Sequence, residues 1–352
     1  MKKDIIGGLF VREVPKNDQN AMAAVSRLLA AQGLTLDDHL DYTCAVFDEG
    51  GALVGTGSCF KNTLRCLAVD ESRRGEGILN TVVTHLVRVQ CARQNLRLFL
   101  YAKESSAHFF SGLGFFEIAR VEGSMVFMEN RRGAFTSWLN GLAAFRRPGR
   151  SGALVMNANP FTLGHQYLAE TAAAACSTLH IFVVSEDASL VPFSVRKELI
   201  RRGTAHIPNA VLHDSGPYMI SNATFPSYFL KSGPEIIDTH ARLDAEIFTD
   251  IARALNITAR FFGEEPFSQV TAAYNRIMQK RLPAAGIDCV ILPRKDQNGA
   301  PISASAAREC LKAGDLERFR FLVPASTYEY FVSPAAAPVI AGIRAAEDVK
   351  HY

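Results

Sequence analysis

The second half of the chain alternates short apolar runs with longer amphipathic stretches. The apolar runs are rich in β-branched and aromatic residues, and the stretches between them repeat their apolar positions at helical spacing. The predicted strands cover residues 153–156, 179–185, 210–214, 258–262 and 289–293, and the predicted helices cover residues 166–176, 195–205, 238–255, 271–282 and 305–312. Such alternation forms a parallel sheet covered on both faces. We therefore predict a doubly wound, Rossmann-like α/β domain whose ligands lie at the C-terminal ends of its strands.

The first 130 residues have a less regular pattern, typical of a mixed α+β domain. Helices are predicted at 20–32, 78–93 and 106–112, and strands at 42–47, 53–60, 63–69, 96–102, 115–119 and 125–129. Arginine, glycine and proline concentrate at both ends of residues 131–150, as in a connector. The predicted organisation is a mixed α+β domain over 1–130, a linker over 131–150, the α/β domain over 151–330 and a C-terminal tail over 331–352.

Length and composition limit the class of protein. A chain of 352 residues exceeds what one hydrophobic core usually supports, so two domains are expected. The 38 basic and 35 acidic residues leave a net charge of +3, which argues against a nucleic-acid partner. The seven cysteines form no C-x-x-C pair, so we predict neither a zinc site nor a redox pair, assign no residue as a resident metal ligand, and expect a reducing cytoplasm. The sequence has neither a membrane-spanning run nor a signal peptide, so no membrane partner is expected.

The first strand of the second half runs directly into a polar loop and then a helix. The loop reads Asn157-Ala158-Asn159-Pro160-Phe161-Thr162-Leu163-Gly164-His165. A helix N-terminus presents free N–H groups and a positive dipole end, so a phosphate is expected here. Gly164 allows close approach of the backbone to the anion. His165 would place an imidazole on the phosphate oxygens, and Thr162 would add a hydroxyl.

This loop resembles the T/H-x-G-H signature of the nucleotidylyltransferase superfamily. In that superfamily an Asn-Pro or Asp-Pro pair stands just before the signature, as Asn159-Pro160 does here. The resemblance implies that Thr162 and His165 are the two signature side chains, and that ATP is cleaved at its α-phosphate. The alternative is a structural loop followed by a helix-capping histidine.

A second polar stretch, Ile302-Ser303-Ala304-Ser305-Ala306-Ala307-Arg308, follows the last predicted strand. Ser303 and Ser305 are placed to cap the helix and to donate to the β- and γ-phosphates. Arg308 lies one turn further along and would pair with the leaving pyrophosphate. The stretch is similar to the I-S-x-S-x-x-R motif of the same superfamily. Taken alone, it would be interpreted as an N-capped surface helix.

The fourth strand ends at Gly263 and Glu264, where the nucleotide base or ribose should lie. Glu264 or Glu265 would bind a ribose hydroxyl or Mg²⁺, which is expected on the triphosphate because hard phosphate oxygens favour it. A bulged strand end is the alternative. Arg196 would either reach a phosphate or the second substrate, or lie on a solvated helix face, and Arg294 and Lys295 would add positive charge.

The candidate site can now be given in full. Thr162, His165 and Arg308 are the predicted catalytic residues. The predicted ATP-binding residues are Asn157, Asn159, Pro160, Gly164, His165, Gly263, Glu264, Ile302, Ser303, Ser305 and Arg308. Transfer at an α-phosphate needs alignment and charge neutralisation rather than covalent help from the protein.

The first domain has a glycine loop between a strand and a helix, Arg74-Gly75-Glu76-Gly77. This loop resembles the pyrophosphate loop of GCN5-related N-acetyltransferases, and residues 109–115 resemble a second segment of that family. The resemblance implies an acetyltransferase-like fold and makes Arg74, Gly75 and Gly77 candidates for binding CoA or a pantetheine arm. Phe110 stands where family members often have an acid-catalytic tyrosine, and a phenyl ring donates no proton. We therefore expect this domain to hold an arm or a partner rather than transfer acetyl groups.

The fusion of the two domains, with the longer strings at residues 156–168 and 263–275, resembles the citrate lyase ligase family. The resemblance implies that ATP activates acetate to acetyl-adenylate with release of diphosphate. The prosthetic-group thiol on the acyl-carrier (gamma) subunit of citrate lyase then takes the acetyl group, AMP leaves, and citrate lyase becomes active. One alternative is an adenylyltransferase acting on a phosphorylated metabolite, such as pantetheine phosphate or a mononucleotide. Another is a non-catalytic nucleotide sensor or scaffold.

Overall fold

A computed structural model describes residues 4–6, 8–186, 189–219, 225–226, 228–230, 232–264, 268–297 and 300–346. The chain divides into two compact units. Unit 1 comprises Met1–Ala134 and Phe225–Thr239, and unit 2 comprises Phe135–Thr224 and His240–Tyr352. Among the described helices, none has both the length and the apolar character needed to cross a bilayer.

Unit 1 is built on one mixed sheet of eight described strands in the order β1-β2-β3-β4-β5-β6-β8-β7. Its strands are β1 Asp4–Ile6, β2 Leu9–Glu13, β3 Tyr42–Phe47, β4 Leu53–Phe60, β5 Thr63–Val69, β6 Phe99–Lys103, β7 Phe116–Val121 and β8 Met125–Glu129. Its helices are α1 Gln19–Ala31, α2 Ile78–Ala92 and α3 Ala107–Ser111, with single 3₁₀ turns at Glu71–Arg73 and Glu104–Ser106. Neighbouring strands are antiparallel except β5 and β6, which are parallel. This arrangement confirms the expected mixed α+β class.

Close packing of α2 on the sheet depends on a glycine. A Cβ atom added to Gly57 on β4 would lie 2.5 Å from Cγ1 of Val82 and 2.9 Å from Cδ1 of Leu86. Both side chains are fully buried, so neither has room to move without opening the core. The strand therefore leaves a groove into which the apolar face of α2 packs.

Unit 2 contains a five-stranded parallel sheet in the order β11-β10-β9-β12-β13. Its strands are β9 Ser151–Met156, β10 Thr178–Val183, β11 Ala210–Asp214, β12 Ile257–Gly263 and β13 Asp288–Leu292, and the two-residue strands β14 Asp296–Gln297 and β15 Ala300–Pro301 form a separate ribbon. The helices are α4 Ala134–Ala143, α5 Leu163–Ala174, α6 Phe193–Gly203, α7 Gly233–Leu255, α8 Gln269–Ala284, α9 Ala304–Ala313, α10 Leu316–Leu322, α11 Ala325–Val332 and α12 Ala337–Ala345, with a 3₁₀ turn at Pro334–Ala336. The parallel sheet confirms the predicted Rossmann-like class.

The strand order places a switch point beside β9. From β9 the chain moves outward to β10 and β11, then returns to the other side of β9 for β12 and β13. At such a point the flanking connections diverge and leave a crevice outside the carboxyl ends of the strands. Every residue of β10 is buried, as expected of a strand covered on both faces. The loops after β9, β12 and β13 are therefore the elements that line this crevice.

Two segments lie differently from what the sequence pattern indicated. The predicted C-terminal tail contains helix α12, whose Val339 and Ile343 belong to the core of unit 2. Residues Phe225–Thr239 are part of unit 1 although the chain on both sides belongs to unit 2. Local patterning gives the structure of a segment, but it does not tell against which sheet that segment packs.

Candidate active site

The loop after β9 is held in place by its own asparagines. Ala158 has a left-handed φ of 50°, and the peptide bond between Asn159 and Pro160 is cis. Oδ1 of Asn159 accepts a hydrogen bond from the backbone N–H of Val191 at 2.9 Å. Nδ2 of Asn157 donates to Oγ of Ser189 at 2.9 Å. The two predicted ATP-binding asparagines thus connect this loop to the one after β10.

Thr162 and His165 form a reciprocal cap at the start of α5. Oγ1 of Thr162 accepts from the backbone N–H of His165 at 3.4 Å. In return Nδ1 of His165 accepts from the backbone N–H of Thr162 at 3.1 Å. A backbone N–H only donates, so Nδ1 carries no proton and the neutral ring carries its proton on Nε2. The cap therefore fixes His165 as an Nε2–H donor.

The surroundings of His165 keep it neutral. Burial, and to a smaller extent the positive charge of Arg294, lower the pKa of this histidine to about 4. The ring stacks on Phe161, with centroids 5.8 Å apart and an interplanar angle of 19°. Within the described part of the chain Nε2 has no hydrogen-bond partner, and the residue is partly exposed. The imidazole is therefore anchored through one nitrogen and presents the other as a neutral donor.

The second predicted stretch lies against this loop. A Cβ atom on Gly164 would lie 2.8 Å from the carbonyl oxygen of Ile302, so the two backbones touch here and only glycine fits without a shift. Nη1 of Arg308 donates to the carbonyl oxygen of Asn159 at 2.6 Å. The N-termini of α5 and α9 thus meet at one place, and their free N–H groups and positive dipole ends favour an anion there.

Arg308 supplies a cation that is only partly neutralised. Its Nη2 donates to Oγ of Ser305 at 3.2 Å, and no carboxylate pairs with it among the residues that the structure describes. Burial lowers the pKa of Arg308, although a guanidinium stays protonated. Oγ of Ser303 accepts from the backbone N–H of Ala306 at 3.1 Å, which leaves the hydroxyl proton for another acceptor. A half-buried cation beside polar donors is suited to a phosphate oxygen.

The ends of β12 and β13 form the other side of the crevice. The backbone N–H of Glu264 donates to the carbonyl of Leu292 at 2.8 Å. Nε of Arg294 donates to the carbonyl of Glu264 at 2.7 Å. The Glu264 side chain is exposed, and a Cβ atom added to Gly263 would lie 3.9 Å from Cδ2 of Leu168 on α5. Glu265, the neighbouring candidate, lies outside the described residues.

Arg294 follows β13, where the sequence led us to expect added positive charge. Its guanidinium is near enough to His165 to lower the pKa of that residue. Lys295 is exposed, with Nζ 5.9 Å from the ring centroid of Tyr167. The signal available in the sequence was the position of both cations directly after a parallel strand, where ligands of such sheets bind.

Arg196 corrects both sequence interpretations, because it neither faces solvent nor is directed at a phosphate. It is fully buried at the start of α6. Its guanidinium donates to four backbone carbonyls, at 2.8–3.0 Å; these belong to Asn157, Val184, Glu186 and Val191. Arg196 therefore holds the loops after β9 and β10 together and acts as a positioning residue.

The candidate CoA loop lies in unit 1 and is a separate feature. Gly75 and Gly77 have φ values of +88° and +76°, which favour glycine, and a Cβ atom on either would meet open space. The guanidinium of Arg74 contacts Glu71 at 3.2 Å and Oε1 of Gln32 at 2.5 Å. The backbone has the freedom that an anion loop needs, but the charge of Arg74 is partly balanced. Binding of CoA or pantetheine by Arg74, Gly75 and Gly77 stays a prediction.

Comparison with known proteins identifies the family. Residues 151–331 match the protein family described as the citrate lyase ligase C-terminal domain. The citrate (pro-3S)-lyase ligase of Klebsiella pneumoniae is 40% identical over 90% of this chain and 94% of its own length. The enzyme of the same name from Escherichia coli K12 is 38% identical over 92% of this chain and 93% of its own length.

Among solved structures, an acetyltransferase of the GNAT family from Staphylococcus aureus is similar to 34% of this chain and 97% of its own, at 14% identity and a TM-score of 0.30. The two ligases extend across both units, and their likeness covers the loop at Thr162–His165 and the stretch at Ile302–Arg308. The family match covers the whole parallel-sheet core in which these residues meet. The chain therefore belongs to the citrate lyase ligase family.

Proposed function

We propose that the protein uses ATP to acetylate the prosthetic-group thiol on the acyl-carrier (gamma) subunit of citrate lyase, and so activates that enzyme. Two lines support this. The relatives that match nearly the whole chain are named as ligases of citrate lyase. The observation that carries the chemistry is the meeting of two helix N-termini with the neutral donor of His165 and the cation of Arg308.

In the proposed complex the triphosphate lies across the crevice. The α-phosphate accepts from Nε2 of His165 and from the backbone at Gly164, next to the hydroxyl of Thr162. The β- and γ-phosphates accept hydrogen bonds from Ser303, Ser305 and Arg308. The ribose and base lie beside Gly263 and Glu264, and Asn157, Asn159, Pro160 and Ile302 shape the loop that holds the phosphates. This assignment follows the charges, because no carboxylate pairs with Arg308 among the described residues, and a cation there would stabilise diphosphate as it leaves.

The first step forms a phosphorus–oxygen bond and breaks another. A carboxylate oxygen of acetate attacks the α-phosphorus, the bond to the bridging oxygen of the β-phosphate breaks, and diphosphate leaves with the electron pair. His165 stabilises charge on the α-phosphate as a donor and transfers no proton, because its pKa of about 4 keeps it neutral near pH 7. Arg308 stabilises the departing diphosphate.

The second step transfers the acetyl group. The carrier thiol, as its thiolate, attacks the carbonyl carbon of acetyl-adenylate, the bond to the phosphate oxygen breaks, and AMP leaves. The products are the acetyl thioester and AMP, and the proton of the thiol passes to solvent. The phosphate cradle serves both steps, since AMP keeps its position while the acyl group moves.

Mg²⁺ would enter with the nucleotide. It usually keeps several waters and binds through phosphate oxygens and one or two carboxylates. Glu264 is an exposed carboxylate at the strand end and fits such a role. The metal would neutralise charge on the leaving diphosphate.

We further propose that the reaction takes place in the cytoplasm. This compartment fits the cysteines, which are all free thiols.

Isotope exchange between ATP and diphosphate tests the first step. We expect exchange that depends on acetate and not on pantetheine phosphate or a mononucleotide. Exchange that requires a phosphorylated acceptor would instead support an adenylyltransferase, which the relatives' names do not favour. The second step is tested by mass measurement of the thiol-form carrier subunit after incubation with ATP and acetate. A gain of one acetyl group is expected, and an unchanged mass despite acetate-dependent exchange would refute the proposed acceptor.

A further inference from the structure

The sheet of unit 1 is divided by a gap between its two parallel strands. β5 and β6 pair at Thr63 with Phe99 and at Leu64 with Leu100, and at no later position. Both strands continue, β5 to Val69 and β6 to Lys103. Strands that diverge in this way leave backbone N–H and C=O groups without ladder partners, and buried groups of that kind need other partners.

The gap holds a side chain from far along the sequence. Oη of Tyr228 donates to the carbonyl oxygen of Tyr101 on β6 at 3.2 Å, just past the last paired residue of that strand. The carbonyl of Tyr228 accepts from the backbone N–H of Thr35 at 2.7 Å and from its hydroxyl at 3.2 Å. Tyr228 is 4% exposed. One residue thus satisfies a strand-edge carbonyl and is itself held by the segment after α1.

The β5 side of the gap also faces this phenol. Cys66 has a left-handed φ of 51° where the register of β4 and β5 shifts, so its backbone departs from the ladder. Its thiol donates to the carbonyl of Thr35 at 3.7 Å. Burial raises the pKa of the Tyr228 phenol, and the backbone of Cys66 has a smaller, opposite effect. Cys66 on β5 and Tyr101 on β6 come from the two strands that border the gap.

Aromatic packing and a buried ion pair complete the contact. Phe225 meets the ring of Tyr101 edge to face at 6.0 Å, and Tyr101 stacks on Phe127 of β8 at 4.5 Å. Asp37 and Arg65 pair at 2.8 Å with both side chains nearly inaccessible, and both act on the pKa of Tyr228. The buried charges of Asp37 and Arg65 are thus paired with each other within unit 1, and aromatic rings pack beside them.

We propose that the gap between β5 and β6 is a receptor groove for the chain's own connection between β11 and α7, with Phe225 and Tyr228 as the groups that it recognises. Both residues belong to unit 1, although the chain before them belongs to unit 2. Any extended ligand that would pair with this part of β6 finds the carbonyl of Tyr101 already bonded to Tyr228. This inference goes beyond the proposed ligase reaction and does not depend on it.

Hydrogen exchange of the full-length protein, followed by mass spectrometry, tests the seating. Tyr228→Ala removes the ring and the hydroxyl, and we expect at least about tenfold faster exchange in peptides that contain Thr35 and residues 228–230. Tyr228→Phe removes the hydroxyl alone and should give a smaller change in the same peptides. The matched control is Tyr42→Phe, which deletes a hydroxyl bonded to Nε2 of His85 at 2.7 Å elsewhere in unit 1. It should leave those peptides unchanged.

Two outcomes would overturn the proposal. One is equal exchange in wild type, Tyr228→Ala and Tyr228→Phe at Thr35 and residues 228–230, because the segment would then not be seated in solution. The other comes from adding millimolar CoA or acetyl-CoA to the wild type. We expect unchanged exchange in these peptides, whereas faster exchange would mean that the thioester displaces Tyr228 and that the gap is a ligand site. If Tyr228→Ala also loses protection in β3 and β4, the unit has unfolded, and Tyr228→Phe carries the test.

Discussion

His165 has two separable roles, and one pair of substitutions divides them. Nδ1 completes the helix cap with Thr162, and Nε2–H is the proposed donor to the α-phosphate. Asparagine places an amide oxygen close to the position of Nδ1 and no atom at the position of Nε2. His165→Asn should therefore keep the cap and lose the donor, whereas His165→Ala should lose both.

The expected magnitudes follow from these contacts. Loss of one preorganised donor to a developing charge costs about 3–4 kcal/mol of barrier, so kcat for acetate-dependent exchange should fall about 10²- to 10³-fold in both variants. The free energy of unfolding should fall by roughly 1 kcal/mol in His165→Ala, because a buried N–H of the capping box loses its acceptor. In His165→Asn the loss should be about half of that or less.

Two measurements check this prediction. Diphosphate exchange at saturating ATP gives kcat, and urea unfolding followed by circular dichroism gives the stability. Thr162→Ser is the matched control, since it keeps a hydroxyl at the cap and should leave both quantities within a few-fold or a few tenths of a kcal/mol. Retention of normal kcat by His165→Asn would show that the Nε2–H group has no catalytic role, and the assignment of the α-phosphate position would then be wrong.

Three further outcomes follow from the structure. Because the pKa of His165 is lowered to about 4, below its ordinary value, the pH profile of kcat/KM should show no ionisation of this group between pH 5.5 and 8. The contribution of neutral His165 to the free energy of unfolding is present above the pKa of the unfolded state and is lost as pH falls toward 4. An acid limb near pH 6.5 that is absent in His165→Asn would contradict this. Arg196→Met should remove the donor from four backbone carbonyls, in two buried and two partly buried hydrogen bonds, and lower the unfolding free energy by about 3 kcal/mol or more. The neighbouring change Lys197→Met, which loses a surface pair with Asp214, should cost no more than about 1 kcal/mol. Gly164→Ala should lower kcat/KM for ATP by ~10- to 100-fold, since its Cβ would meet the Ile302 carbonyl at 2.8 Å, while Gly141→Ala, whose Cβ meets nothing within 4 Å, should leave activity unchanged.

The sequence alone was sufficient for the sheet and for the pairing of its two polar stretches. Once residues 153–156 and 289–293 are recognised as parallel strands of one sheet, their carboxyl ends must share an edge. The contacts of Gly164 with Ile302 and of Arg308 with Asn159 then follow from the helices that start at that edge. The apolar pattern of each strand, together with the rule that parallel strands end at one edge of the sheet, is therefore enough to predict that these two stretches meet.

Other features depend on contacts that no local pattern encodes. Arg196 begins a helix rich in charge, so its context resembles a solvated face, and its burial under two loops is a tertiary property. Tyr228 stands in a stretch without helical or strand periodicity, yet it fills a gap between strands more than 120 positions earlier. Similarly, the proton position on His165 is set by a backbone N–H whose direction is known only once the cap exists.

The neutral donor and the cation in the crevice have different roles in the proposed reaction. Burial and the nearby charge of Arg294 make a positive charge on His165 unfavourable, so the proposed partner of the α-phosphate stays a neutral donor. Arg308 is bonded to the carbonyl of Asn159 in the loop after β9 and is the proposed cation for the departing diphosphate. Acetate carries a negative charge, and a strong cation at the point of attack would stabilise it before reaction as much as during it. A neutral donor there and a cation at the leaving group favour the transition state over the ground state, which is the arrangement that attack by a carboxylate requires.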